Sequence, residues 1–155
     1  MQFENFKKTI NKFATGVTVV TGYYNNTPLG LTVNSFTSLS LDPTLILFNL
    51  DKKTASISSF LNTSYFNVNI LSNKQTEVAS VFATKNIDKF AKVNYQNSRH
   101  NIPILSGVHA LLECKKNKVI EAGDHYIFIC DVIKSSTDNS KSPLVYYNSN
   151  FYSKL

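Results

Sequence analysis

Near the start of the chain Phe3, Phe6, Ile10 and Phe13 recur at steps of three and four, with Lys7, Lys8 and Lys12 between them. That spacing predicts an amphipathic helix over residues 2–14, apolar on one face and solvated on the other. Residues 17–24 are rich in β-branched and aromatic side chains, Asn25-Asn26 supplies turn chemistry, and residues 29–36 resume a strand. Together they predict a hairpin, its turn type left open. The apolar run at residues 44–50 is what a strand covered on both faces requires, so it is expected at the centre of its sheet.

Residues 54–61 suit a short helix and residues 65–71 the next strand. Val78, Val81 and Phe82 fall at helical spacing within residues 74–83, and residues 88–90 suit a further turn. Residues 94–101 are polar and loop-like; beyond Pro103 come three strand candidates, at 105–114, 118–121 and 126–133. A polar connection over 135–142 precedes a last strand at 144–147. Seven or eight short strands with few helices, and no βαβ rhythm, favour an antiparallel barrel or sandwich. No internal repeat or linker divides residues 1–155, which read as one domain.

Composition narrows the class. The 155 residues are 43% hydrophobic and 17% charged, which is globular. The apolar stretch Leu45-Ile46-Leu47-Phe48 is far short of the ~20 residues of a membrane span, and the beginning MQFENFKK lacks an apolar signal core. A cytoplasmic protein without membrane association is expected. Cys114 and Cys130 form no CxxC pair and read as small buried hydrophobes. The net charge of +6 points to an anionic partner, yet the lysines are scattered and the single arginine is Arg99. A phosphorylated small molecule fits this better than nucleic acid. His100 and His109 read as residues without a role, and no trio of histidines and acids has metal-ligand spacing.

The glycine loops GxGxxG and GxxxxGK[ST] are absent, so any phosphate is held otherwise. Residues 32–40 carry five hydroxyls and an amide directly after a strand. From the residues alone two readings stand: a polar turn capped by its own side chains, or a donor-rich loop for an anion or a heterocycle edge.

A longer series of segments decides between them. It starts with Ala14-Thr15-Gly16-Val17-Thr18-Val19-Val20-Thr21 and continues through Gly30-Leu31-Thr32-Val33-Asn34-Ser35-Phe36 and Ser38-Leu39-Ser40-Leu41-Asp42-Pro43. Phe66-Asn67-Val68-Asn69-Ile70-Leu71, Gln75, Phe82-Ala83 and Asp88-Lys89-Phe90 come next. Leu112-Glu113-Cys114, Gly123-Asp124-His125 and Pro143-Leu144-Val145-Tyr146-Tyr147 complete it. In this order, from Phe6 to about Tyr152, the chain resembles the flavin reductase family. The resemblance implies a mainly β, antiparallel FMN-binding split β-barrel of six or seven strands with a few peripheral helices, paired as a homodimer.

The resemblance also implies roles. Thr32, Val33, Asn34, Ser35 and Phe36 would wrap the flavin ring edge and ribityl chain, with Ser38 and Leu39 close behind. Backbone N–H groups aimed at the ring favour the negative charge of reduced flavin. Asn49, Leu50, Asp51, Lys52 and Ser56 would approach the flavin and its phosphate. Lys52 and Lys53 would balance that phosphate or else be solvated surface charges. Val81 and Phe82 would border the cofactor or else pack in the core. His125 would stand at the nicotinamide site as the catalytic and substrate-binding residue, with Tyr147, Asn148 and Phe151 contributing to the dinucleotide site.

The chain departs from the family pattern at Asn67 and Cys130, where glycine is frequent. After Tyr146-Tyr147 it has Asn148-Ser149-Asn150-Phe151, where Arg-Gly-Arg or Arg-Gly-Asp and an aromatic are frequent. The implied activity is NAD(P)H-dependent reduction of FMN, with FAD able to substitute, NADH or NADPH as donor, and a flavin-dependent monooxygenase or other acceptor as partner. The alternatives are an FMN-bound electron-transfer protein, flavoredoxin-like, that oxidises NAD(P)H weakly, and a split barrel that binds haem or serves as an interaction module.

Overall fold

The computed structural model describes residues 1–154. Its first helix, α1 (Gln2–Ile10), ends four residues before the expected boundary. The N–H groups of Lys12 and Phe13 turn back onto the carbonyls of Thr9 and Ile10 and close it. The apolar stripe forms, yet Phe3 and Phe13 are each 71% exposed, Phe6 64% and Ile10 52%, so no other described residue covers it.

The strands follow as β1 (Thr15–Gly16), β2 (Thr18–Tyr24), β3 (Thr27–Val33), β4 (Thr37–Leu41) and β5 (Thr44–Asp51). Then come α2 (Ile57–Asn62), β6 (Tyr65–Ile70), α3 (Thr76–Ala83) and a single 3-10 turn (Phe90–Lys92). The chain closes with β7 (Tyr95–Asn97), β8 (Pro103–Leu105), β9 (Ala110–Ala122), β10 (His125–Thr137), β11 (Val145–Tyr147) and β12 (Asn150–Tyr152). Seven strands form one antiparallel sheet in the order β3-β2-β6-β9-β10-β5-β4, flanked by the small sheets β1-β11-β12 and β7-β8. No helix among the described residues is long and apolar enough to cross a membrane.

The expected hairpin is β2–β3. Asn25 and Asn26 both take left-handed backbone, φ 48° and 57°, the two-residue mirror turn whose twist suits flanking strands and which asparagine tolerates. Three expectations are corrected. The candidates at 105–114 and 118–121 belong largely to one strand, β9, because the polar break between them is a bulge. Ile129 pairs with Lys118 but Cys130 with Lys116, leaving Asn117 over, and its amide donates to the Asp131 carboxylate at 3.0 Å. The polar stretches at 94–101 and 135–142 contain β7 and the end of β10, whose side chains there are largely exposed. Finally β5 is not central: it lies next to the edge strand β4, while β9 holds the middle. Ile46, Phe48 and Leu50 are buried and Leu45, Leu47 and Asn49 only half so, because one face of β5 meets the core and the other is only partly covered by the described residues.

The core on the inner face centres on Phe48, stacked on Phe128 at 5.1 Å, with Phe66 edge-on to both. Each such side chain contributes about 1.5–3 kcal/mol by leaving water. A second cluster, including Val19, Leu71, Ala79, Phe82 and Leu144, lies under α3. Between them Asn67 and Asn69 are fully buried and use their amides to fasten β8. Asn67 donates to Pro103 O at 3.3 Å, and Asn69 Oδ1 accepts from Leu105 N at 2.9 Å. The amide at position 67 is therefore structural.

Candidate functional site

Strands β3 and β4 are consecutive in the chain but lie at opposite edges of the sheet, so residues 34–36 must cross the split where the curled sheet fails to close. Val33 ends β3 buried, Asn34 is exposed, and Ser35 and Phe36 are half-buried. Ser35 Oγ donates to the carbonyl of Asn49 at 3.0 Å and accepts that residue's N–H at 2.9 Å. One hydroxyl thus takes the place of the paired ladder bonds that β5 lacks there, since β4 begins pairing only at Thr37 opposite Leu47.

Two buried side-chain atoms among the described residues lack a hydrogen-bond partner. Asn49 Oδ1 is one, on β5 opposite Ile127; Thr15 Oγ1 is the other, on β1 opposite Tyr146. The β2–β3 ladder ends with Thr18 opposite Val33, so the chain leaves the sheet towards β1 on one side and towards Asn34 on the other. A buried polar atom left unpaired costs about 1–3 kcal/mol, which an incoming hydrogen-bonding group relieves. Asn49 Oδ1 is an acceptor and Asn34 an exposed amide without an internal bond, a donor set that fits the alternating N–H and C=O edge of a flavin ring.

Two residues beyond Asn49, Asp51 stands opposite His125, which opens β10. The two-residue turn before it places Gly123 at φ 57°, a left-handed position that glycine takes without strain. His125 Nδ1 lies 2.7 Å from Asp124 Oδ1 with its side chain 43% exposed. That bond, with the charge of the imidazole, holds the Asp124 carboxyl below its usual range and orients the ring. Lys52 N–H donates to Asp124 O at 2.9 Å, and Lys52 Nζ meets Glu121 Oε1 at 2.5 Å while lying 5.5 Å from the Tyr126 ring centre. Lys52 is therefore paired inside the protein, though an exposed pair is worth only about 0–1 kcal/mol and yields readily to a phosphate.

The other implied residues divide. Leu50, Val33 and Phe82 put their side chains in the core, so only their backbone is left to face a ligand. Thr32 Oγ1 is spent on Ala79 O at 2.6 Å, pinning α3 to β3. Ser38 and Leu39 lie exposed on β4, at a bulge between Ser38 and Ser40. Ser56 precedes α2 and lines a cavity of about 700 Å³ with Gly30, Lys89 and Phe90. Val81 lines a different cavity, about 380 Å³, with Lys74, Lys92 and Lys141. Neither cavity includes residues 32–36, of which Asn34 alone is exposed. Tyr147 and Asn148 stand at the β11–β12 tip, where Asn148 and Ser149 take φ 50° and 64°, and Phe151 packs on Tyr146 at 5.4 Å.

Several residues gain a place that the sequence did not give them. Thr15 and Asp124 lie in the quoted segments without a role attached, and Glu121 carried no signal. Lys89 donates to Phe82 O at 2.8 Å and Gly30 O at 3.2 Å, and burial lowers its pKa. Among the described residues no cluster of His, Cys, Asp and Glu could hold a metal ion.

Comparison with known proteins agrees with this frame. The flavin reductase like domain matches residues 10–154. The reductase component of a flavin-dependent trigonelline monooxygenase from Acinetobacter baylyi is 36% identical over 97% of this chain and 49% of its own length. The chain thus spans about half of that relative. A flavin reductase from Pseudomonas putida is 36% identical over 94% of this chain and 86% of its own. The structure of an NADH:FAD oxidoreductase from Streptomyces globisporus, solved with NAD and FAD fragments, superposes with a TM-score of 0.92 at 31% identity. It covers 97% of this chain and 91% of its own.

Proposed function

This chain belongs to the flavin reductase family, and from that premise we propose that it reduces flavin, FMN in first place, with NADH or NADPH. The observation that carries the assignment is the loop at the split. Ser35 closes the seam through the backbone of Asn49, leaving Asn49 Oδ1 buried and unpartnered beside the exposed Asn34.

Bound there, the flavin would supply an acceptor for the hydride of the dinucleotide. The protein's part is binding and alignment. Asn34, Ser35 and Asn49, with the backbone of residues 32–36, would hold the ring edge; Lys52 and Ser56 would meet the ribityl phosphate. His125, fixed by Asp124, would orient the nicotinamide carboxamide rather than move a proton, since hydride transfer depends on alignment. Tyr147, Asn148 and Phe151 would border the dinucleotide.

The loop's Asn34 lies exposed, and β5 and β10 present a half-covered apolar outer face, with Leu47 opposite Ile129 and Ile120 opposite Ile127. A second copy of the chain lying on this face, as a homodimer, would cover it and close the cleft over the flavin. A flavin-dependent monooxygenase that consumes the reduced flavin is the partner proposed, since the Acinetobacter relative is the reductase component of one. The test is anaerobic titration of the FMN-loaded protein with NADH. Full bleaching of the flavin absorbance within seconds is expected; a spectrum that bleaches only over hours assigns the chain to electron transfer, and failure to take up FMN ends the proposal.

A further inference from the structure

The β11–β12 tip, Tyr147-Asn148-Ser149-Asn150, carries no charged side chain. A cation reaches it from the opposite end of the chain. Where α1 ends, Asn11 O accepts Asn148 N–H at 3.0 Å and Asn11 Nδ2 donates to Ser149 Oγ at 3.2 Å, which seats the turn after α1 on the tip. The next residue, Lys12, puts Nζ 3.3 Å from Asn148 Oδ1 and 6.0 Å from the centre of the Tyr147 ring.

The ammonium is held without being neutralised. An amide oxygen and an aromatic face fix its position, and among the described residues no carboxylate lies within 4.0 Å of it. On the other side of the loop Lys52 is paired with Glu121, and Lys53, itself without an ion pair among the described residues, lies near enough to Asp124 to act on its carboxyl. What distinguishes Lys12 is its seat: it lacks a carboxylate partner and is placed on the hairpin by Asn148 and Tyr147. That hairpin is laddered to β1, whose chain leaves the sheet beside Asn34, and Thr15 with its unpartnered hydroxyl lies opposite Tyr146. A lysine positioned by polar and aromatic groups, on a hairpin laddered to β1 and with donors to spare, is suited to an anion delivered by the substrate.

We propose that Lys12 is a binding residue for the pyrophosphate of the nicotinamide dinucleotide, presented at the C-terminal hairpin by Asn148 and Tyr147. The proposal rests on the reading above that the dinucleotide lies between His125 and the hairpin. It makes the positive charge of this subsite a contribution of the N-terminal segment, and it gives the contact between Asn11 and the tip a purpose: it keeps that cation over the site.

The experiment compares Lys12→Met and Lys12→Arg with the parent protein in stopped-flow reduction of bound FMN, using three donors: NADH, NADPH and dihydronicotinamide riboside, which has no phosphate. Lys12→Met is expected to raise the saturation constant for NADH and NADPH about tenfold, the scale of one charge-assisted hydrogen bond, with the limiting rate little changed. Lys12→Arg should restore most of it, and the riboside should reduce parent and variants alike. Equal loss with the riboside would mean that Lys12 acts only by holding the hairpin, and loss confined to NADPH would move the contact to its extra phosphate; either overturns the assignment. An unchanged saturation constant for Lys12→Met also overturns it. His125→Ala, run alongside, separates the two levels: if it slows reduction while Lys12→Met does not, only the Lys12 contact fails, and if neither matters the dinucleotide site itself is misplaced.

Discussion

Ser35 Oγ is bonded to both the N–H and the C=O of Asn49, at 2.9 and 3.0 Å, across the one place where the sheet does not close on itself. Ser35→Ala leaves both backbone groups half-buried and unpaired, which should cost about 1–3 kcal/mol of stability and weaken FMN binding together. Asn34→Leu, at an exposed position without internal bonds, should weaken FMN binding alone. Denaturant unfolding without flavin and equilibrium dialysis with FMN distinguish them. Equal stability for Ser35→Ala would deny the seam its structural role.

Gly30 lies under the Phe82 ring so closely that an added Cβ would stand 2.3 Å from Cε1 and 2.5 Å from Cδ1. The ring is itself fixed edge-on against Phe90 at 5.1 Å and cannot retreat. Gly30→Ala should destabilise the fold by about 1–3 kcal/mol through overpacking. The double variant with Phe82→Leu should recover part of the loss, as read by thermal melts.

The two thiols make stability depend on alkaline pH. Burial raises Cys130 from the ordinary 9.0 to about 12, and raises Cys114 too, with Cys130 adding to the effect. Below pH 9 both the folded and unfolded chains keep these protons. Above it the unfolded chain releases what the folded chain retains, so stability should fall as pH rises from about 9 towards 12. The half-buried Lys89 and Lys116, whose pKa values are lowered by desolvation, act in the opposite sense. The comparison is therefore with Cys114→Ala/Cys130→Ala, whose unfolding free energy should decline less steeply across that window.

His125→Ala should slow flavin reduction by NADH while FMN affinity stays nearly the same, because His125 is held by Asp124 and not by the loop. Loss of one positioned hydrogen bond corresponds to roughly a ten- to hundredfold change in the rate constant divided by the saturation constant. Asp124→Ala should reproduce a smaller part of that loss, since it frees the ring without removing it. A normal rate in both variants would separate this corner from the reaction.

If a second copy covers the outer face of β5 and β10, then Leu47→Glu with Ile129→Lys should yield a monomer, because directly opposed positions on that face would each bring a charge into an apolar contact. Light scattering reads the mass, and FMN affinity should fall with it. A parent protein already monomeric at micromolar concentration removes the dimer from the mechanism.

Much of this protein is written in short-range pattern. Phe3, Phe6 and Ile10 announce α1 by their spacing and Asn25-Asn26 announces the β2–β3 turn, because each depends on residues within one or two turns of chain; the hydroxyl-rich run at residues 32–40 by itself leaves a self-capped turn and a ligand loop both open. Sheet order, bulges and ligand-site closure depend on contacts far apart in sequence. Nothing near Lys116 and Asn117 distinguishes a loop from a bulge until β10 lies alongside, and nothing in residues 44–50 says that one face of β5 is only half-covered. Ser35 reads as a turn serine until the curl of the sheet brings Asn49 to it, and Lys12 as a solvated helix charge until the C-terminal hairpin comes under it. Local sequence determined which elements form, since backbone preference and amphipathic spacing act at short range. Tertiary structure decided which of their polar groups were used in the fold and which, like Asn49 Oδ1, were left without a partner.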